Sequence, residues 1–161
     1  MKTKCGPLLL AGVTALLVAS GCGRSEAEVQ REAMLRVLRN DKDLSAQLRS
    51  AASSATSRAV TIQLVIKYCD GLDHYDMSEC PPDFRLAFRQ HIRSWRAAAA
   101  QWSAMPDGFW QGVLVGAVNS MSGESDGGAR RMSTEMREAQ QAVDTTYKEA
   151  ERIAAQYGAV L

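Results

Sequence analysis

The chain has 161 residues, with 19 Lys and Arg against 18 Asp and Glu, a formal net charge of +1, and 46% hydrophobic residues. So even a balance leaves no electrostatic footprint for nucleic acid, which calls for clustered positive charge. The length suits one domain with a core of its own.

The first element is a leader. Lys2 and Lys4 precede an apolar run from about Leu8 to Val18, and the segment closes on Leu16-Leu17-Val18-Ala19-Ser20-Gly21-Cys22. A charged start, a short apolar middle and small residues before a break describe a secretory signal peptide. A spanning helix needs roughly 20 apolar residues, so the run is too short for an uncleaved anchor. The cysteine directly after Ser20-Gly21 makes the pattern specific: it resembles the lipobox of bacterial lipoprotein precursors. Ala19 stands where leucine is commonest in that family, but a small residue still fits. The resemblance covers residues 1–22 alone. It implies that residues 1–21 are removed, that the Cys22 thiol receives a diacylglycerol, and that palmitate-type chains tether the mature protein to a membrane. Two or more chains give stable anchoring, at about 0.8 kcal/mol per buried CH₂. Gly23 rather than Asp after the lipidated cysteine points to the outer membrane, facing the periplasm, in a cell that has one.

Cysteine usage fits that compartment. With Cys5 in the leader and Cys22 lipidated, Cys69 and Cys80 remain as an even pair in an oxidising space, which predicts a disulfide. On the chain-entropy model such a bridge would contribute on the order of 3 kcal/mol.

The mature chain reads as helices throughout. Ser25-Glu26-Ala27-Glu28 is a capping-box pattern opening a helix with Val29, Leu35 and Leu38, expected to weaken at Asn40-Asp41. Residues 22–42 are accordingly taken as a lipidated N-terminus and helical stalk, with a packed element as an equal alternative for the helix, and 43–161 as the bundle domain. From Asp43, apolar residues at Leu44, Leu48, Ala51, Ala55, Ala59, Ile62, Val65 and Cys69 predict one long amphipathic helix. Pro81-Pro82-Asp83 restarts the chain in a helix whose face carries Phe84, Phe88, His91, Trp95, Ala98 and Trp102. A further helix is predicted over 108–121, then a flexible linker over 122–128. The last helix runs from about Arg130 to Tyr157, with Met132, Met136, Ala139, Val143, Ala150, Ile153 and Tyr157 on its seam and Gly158 as its C′ residue. The fold class is therefore all-α: a four-helix-bundle-like domain with an N-terminal helical extension and one disulfide.

Four features could carry function. Asp70, Asp73, Asp76 and Glu79 recur every third residue beside His74 and Tyr75: most simply a solvated acidic loop on a helical corner, with a cation site, although its order is not that of an EF-hand, or a partner's docking surface as the alternatives. Arg85, Arg89, Arg93 and Arg96 form a basic stripe, read either as a solvated face with intramolecular pairs or as a contact for anionic headgroups or an acidic partner. Gly108, Gly112 and Gly116 line one side of an otherwise apolar helix, suited to close helix packing and, alternatively, to self-association or membrane insertion. His91 falls on the apolar seam, where a hydrogen-bonded core histidine outweighs a catalytic base.

No nucleophile elbow, zinc-protease motif or phosphate-cradling loop is present, and no cofactor or metal is implied. The expectation is a non-enzymatic envelope lipoprotein that binds an envelope protein partner and assists assembly or protection. The alternative is a periplasmic enzyme or metal-binding protein using His91 or the 70–79 loop.

Overall fold

The computed structural model describes residues 24–55, 57–104 and 134–161. The expected leader with Cys22, and the helix expected at 108–121 with Gly108, Gly112 and Gly116, lie outside the described residues. Among the described residues there are four helices: α1 (Glu26–Ser53), α2 (Arg58–Asp73), α3 (Pro82–Ser103) and α4 (Thr134–Gln156). There is no strand among the described residues. The all-α bundle is as expected. None of these helices is long and apolar enough to cross a membrane.

The helix ends follow local chemistry. Ser25 and Glu28 form the capping box: Glu28 N–H donates to Ser25 Oγ at 3.3 Å, and Ser25 N–H to Glu28 Oε2 at 2.9 Å. At the other end of the chain, Gly158 takes φ +73°, a region closed to most side chains. Its N–H donates to Ala155 O at 3.0 Å, and Ala159 N–H to Ala154 O at 2.9 Å, the paired bonds of a Schellman stop.

The middle of α1 differs from expectation. Asn40-Asp41 does not weaken it: α1 continues to Ser53, and the division placed between residues 42 and 43 falls inside it. Ala33, Met34, Val37, Leu38, Asp41 and Leu48 are all buried, at helical spacing. Residues 26–42 therefore belong to the packed domain, because Asp41 is an inward-facing seam residue. The long helix expected from Asp43 to Cys69 is instead two, α1 ending at Ser53 and α2 beginning at Arg58. There, serine competes for the backbone. Ser54 closes α1, and Ser57 opens α2 with its hydroxyl accepting from Val60 N–H at 3.4 Å.

The core is centred on α3, which packs most extensively on α4 and next on α2, while α1 lies on α2 and meets α4 lightly. Phe84, Phe88, His91, Trp95, Ala98 and Trp102 are buried as the α3 seam predicts. Phe84 stacks on Phe88 at 5.8 Å, and Trp95 meets Trp102 edge-on at 6.4 Å between ring centres. Each such side chain contributes about 1.5–3 kcal/mol by leaving water. From α4 come Met136, Ala139, Val143, Ala150, Ile153 and Ala154. Where α1 crosses α2, a Cβ on Gly71 would stand 3.2 Å from Leu44 Cδ1, so the glycine allows that close approach.

Cys69 and Cys80 are both buried in this core and both free. The expected disulfide is not formed. Each sulfur packs as a small apolar side chain, and burial pushes the Cys69 thiol up to about 12 and the Cys80 thiol up to about 11, well away from the reactive thiolate.

Candidate functional site

The charged features singled out in the sequence are largely consumed in holding the fold. Arg96 Nη2 of α3 reaches Asp70 at 2.8 Å and Asp73 at 2.6 Å on α2. Arg36 of α1 reaches Glu79 at 2.5 Å. Asp76 accepts from Ser78 N–H at 2.8 Å in a local turn, and that bond lowers its pKa. His74 Nδ1 lies 2.6 Å from Asp70 O, closing the end of α2. The acidic segment is thus a pinned corner, and among the described residues no group of three or more His, Cys, Asp or Glu is placed to hold a metal ion. The basic stripe divides in the same way. Arg96 is fastened to α2, Arg93 donates to Gln90 Oε1 at 2.8 Å, Arg85 is half-buried, and Arg89 is exposed.

A different constellation lies where all four helices meet. A cleft of about 460 Å³ opens there, lined from α1 by Asp41, Lys42, Ser45 and Arg49, and from α2 by Tyr68. His91 and Trp95 of α3 lie on its inner side, and Val143, Asp144, Tyr147 and Glu151 of α4 complete it, with Leu161 at the end of the chain. Asp41 is its most buried charge, with 4% of its surface exposed. Among the described residues its one hydrogen-bond donor is the Tyr68 hydroxyl, in a short contact.

A carboxylate so placed is costly. Burial raises the Asp41 pKa to about 6, assisted by Glu151 and opposed by the Tyr68 hydrogen bond and by Arg49. Tyr68 and Tyr147 are both shifted upward, first by burial and then by Asp41, so both hydroxyls keep their protons at neutral pH. Tyr68 also meets Trp95 edge-on at 5.3 Å, and Tyr147 lies 5.1 Å from the His91 ring. Arg49, the basic group that favours the ionised form, donates to Ser45 Oγ at 3.5 Å.

His91 is buried at 3% exposure, and both its ring nitrogens are engaged. Trp95 Nε1–H lies 3.2 Å from Nε2, which must therefore accept, because an indole nitrogen only donates. Nδ1 then carries the proton, shared between Val143 O at 3.3 Å and Thr146 Oγ1 at 3.4 Å. Burial lowers the pKa to about 4, only partly opposed by the Val143 hydrogen bond, so the ring is neutral at ordinary pH. A histidine with both nitrogens committed orients the aromatic side of the cleft and is not free to take a substrate proton.

Asp41, Tyr68, Tyr147 and Glu151 escaped the sequence reading. The signal was present for Asp41. It falls on the register of Met34, Val37, Leu38 and Leu48, and a charged residue on an apolar seam calls for a partner. The tyrosines join it only through tertiary packing, Tyr68 from 27 residues away. Compared with family models, with curated proteins and with solved structures, the chain finds no match.

Proposed function

We propose that this chain is a lipid-anchored envelope protein whose helical domain is a non-enzymatic ligand-binding module, with the cleft at Asp41 as its binding site. The observation that carries the binding site is the burial of the Asp41 carboxylate in an aromatic-lined cleft, with a tyrosine hydroxyl as its hydrogen-bond donor. Natural cores keep such a group at a cost to stability, and the recurrent reason is function. The non-enzymatic reading draws on His91, whose two nitrogens are engaged inside the protein. Anchoring rests on the lipobox-like residues ending at Cys22. A tether at the membrane raises the effective concentration of the module for anything presented there, so modest affinity suffices.

Two measurements test the two halves. Cells fed an alkyne-bearing palmitate analogue should label the wild-type chain and leave Cys22→Ser unlabelled; labelling of both, or of neither, would refute the anchor. For the cleft, Ser45→Phe adds a ring at the half-buried Ser45 position on the cleft wall while keeping the Asp41 carboxylate itself in place. Native mass spectrometry of the full lipidated protein released from membranes should find a small molecule on the wild type and none on Ser45→Phe. Equal occupancy of a folded variant would show that the cleft is not the site.

A further inference from the structure

Resting on the cleft reading above, we infer that the ligand is an organic ammonium ion, its charged head seated against the Asp41 carboxylate among the side chains of Tyr68, Trp95 and Tyr147. The sign of the ligand follows from the depth of the charges. Asp41 is buried, whereas Lys42 is exposed and Arg49 is half-buried and donates to Ser45 Oγ. The inner end of the cleft is therefore negative, and the positive groups stand nearer the solvent. An anion entering head-first would meet a carboxylate; a cation would meet its counter-charge.

The aromatic lining selects among cations. Tyrosine and tryptophan rings attract ammonium groups through their faces, most strongly where water is excluded. Tyr68 and Tyr147 keep their hydroxyl protons, so they present neutral rings and hydroxyl oxygens rather than further charge. A bare divalent metal fits poorly, because it needs several convergent oxygen or nitrogen ligands. No group of three or more acidic, histidine or cysteine side chains among the described residues is so placed. The volume, about 460 Å³, is in the range of small-ligand pockets and exceeds what a lone inorganic ion would fill.

The cleft also dictates a pH dependence. The groups facing Asp41 are Lys42 and Arg49 on its own helix, Tyr68 on α2, His91 on α3, and Asp144, Tyr147 and Glu151 on α4. Asp41, raised to about 6 by burial, changes charge between pH 5 and 7.5, while His91, lowered to about 4 by burial, stays neutral there. Affinity for a cation should fall about tenfold from pH 7.5 to pH 5, as the ionised fraction of Asp41 falls.

The test is calorimetric titration of the full lipidated protein in a non-ionic detergent. The probes are tetramethylammonium, choline and benzylamine, with 3,3-dimethylbutanol as the neutral isostere of choline and benzoate as the anion. At least one ammonium probe should bind below 1 mM and at least tenfold more tightly than its uncharged or anionic counterpart. Asp41→Asn, which keeps the shape and an acceptor for Tyr68, should weaken it tenfold or more, and Tyr147→Ala by about tenfold. Equal binding of the neutral isostere, an Asp41→Asn protein with unchanged affinity, or no ammonium binding below 10 mM would each overturn the inference. Ser45→Phe separates the two levels. Binding of benzoate or the alcohol that Ser45→Phe abolishes would keep the cleft and discard the cation. Ammonium binding indifferent to both variants would discard the cleft as well.

Discussion

Replacing Asp41 by asparagine should raise the stability of the domain at pH 7.5 while slightly lowering it at pH 3. The unfolded chain releases the Asp41 proton near its ordinary value of 3.8, whereas the folded protein holds it until about pH 6. Between those values the folded state binds more protons than the unfolded one, so stability falls as pH rises through the window. At about 1.4 kcal/mol per pH unit, the ionised carboxylate removes about 3 kcal/mol by pH 7.5 that is fully present below pH 3.8. Asparagine carries no such charge. Its amide N–H groups lack a partner, at a cost of about 1 kcal/mol. The variant should therefore be about 1 kcal/mol less stable than wild type at pH 3 and about 2 kcal/mol more stable at pH 7.5. Urea denaturation followed by fluorescence of the buried Trp95 and Trp102 gives both values, and the difference between the two proteins cancels the titration of every other carboxylate. Parallel stability curves from pH 3 to 7.5 would refute the reasoning, because they would mean that Asp41 titrates alike in the folded and unfolded chains.

His91 should act with the opposite sign. Its pKa falls from 6.5 to about 4 on folding, so its contribution is present above pH 6.5 and lost as pH drops toward 4; His91→Leu should flatten that limb and cost about 1–3 kcal/mol at pH 7.5 by orphaning the Trp95 N–H, both read from urea titrations. The two core thiols should react slowly with maleimide in the native protein and both react at once in urea without reductant; blocked thiols in urea would show that Cys69 and Cys80 are bridged. Charge reversal at Arg89 and Arg93 together should shift the urea midpoint by less than the equivalent of about 0.5 kcal/mol, since both are exposed; Arg96→Ala should cost up to about 1 kcal/mol through its two surface ion pairs, and a larger loss would show that this corner governs the fold.

The parts of the fold legible in advance are those where a single helix carries its own signal. The α3 seam from Phe84 to Trp102 and the α4 seam from Met136 to Ile153 repeat at steps of three and four, and both faces are buried as that period requires. Ser25 and Gly158 announce their caps because the bonds they make are local. The division of residues 26–73 into α1 and α2 departs from the sequence expectation for a related reason. Asn40-Asp41 carries residue types that weaken a helix on propensity, and residues 50–57 carry an alanine content that supports one. Tertiary burial reversed the first, and capping by Ser54 and Ser57 reversed the second.

The same reversal hid the site. Propensity treats an aspartate in a helix as a surface or terminal residue, yet Asp41 keeps helical register with Val37, Leu38 and Leu48 and turns inward to Tyr68. Of the conspicuous charges, Asp70 and Asp73 pair with Arg96 of the stripe and Glu79 pairs with Arg36 of α1, ion pairs that tie α2 and α1 to their neighbours. Abundant charge at regular spacing is inexpensive at a surface, where water solvates it whether or not it is paired. A single carboxylate enclosed by tyrosine, tryptophan and histidine carries a persistent energetic penalty. That penalty, and not the density of charge along the chain, is what marks Asp41 as the candidate site of this domain.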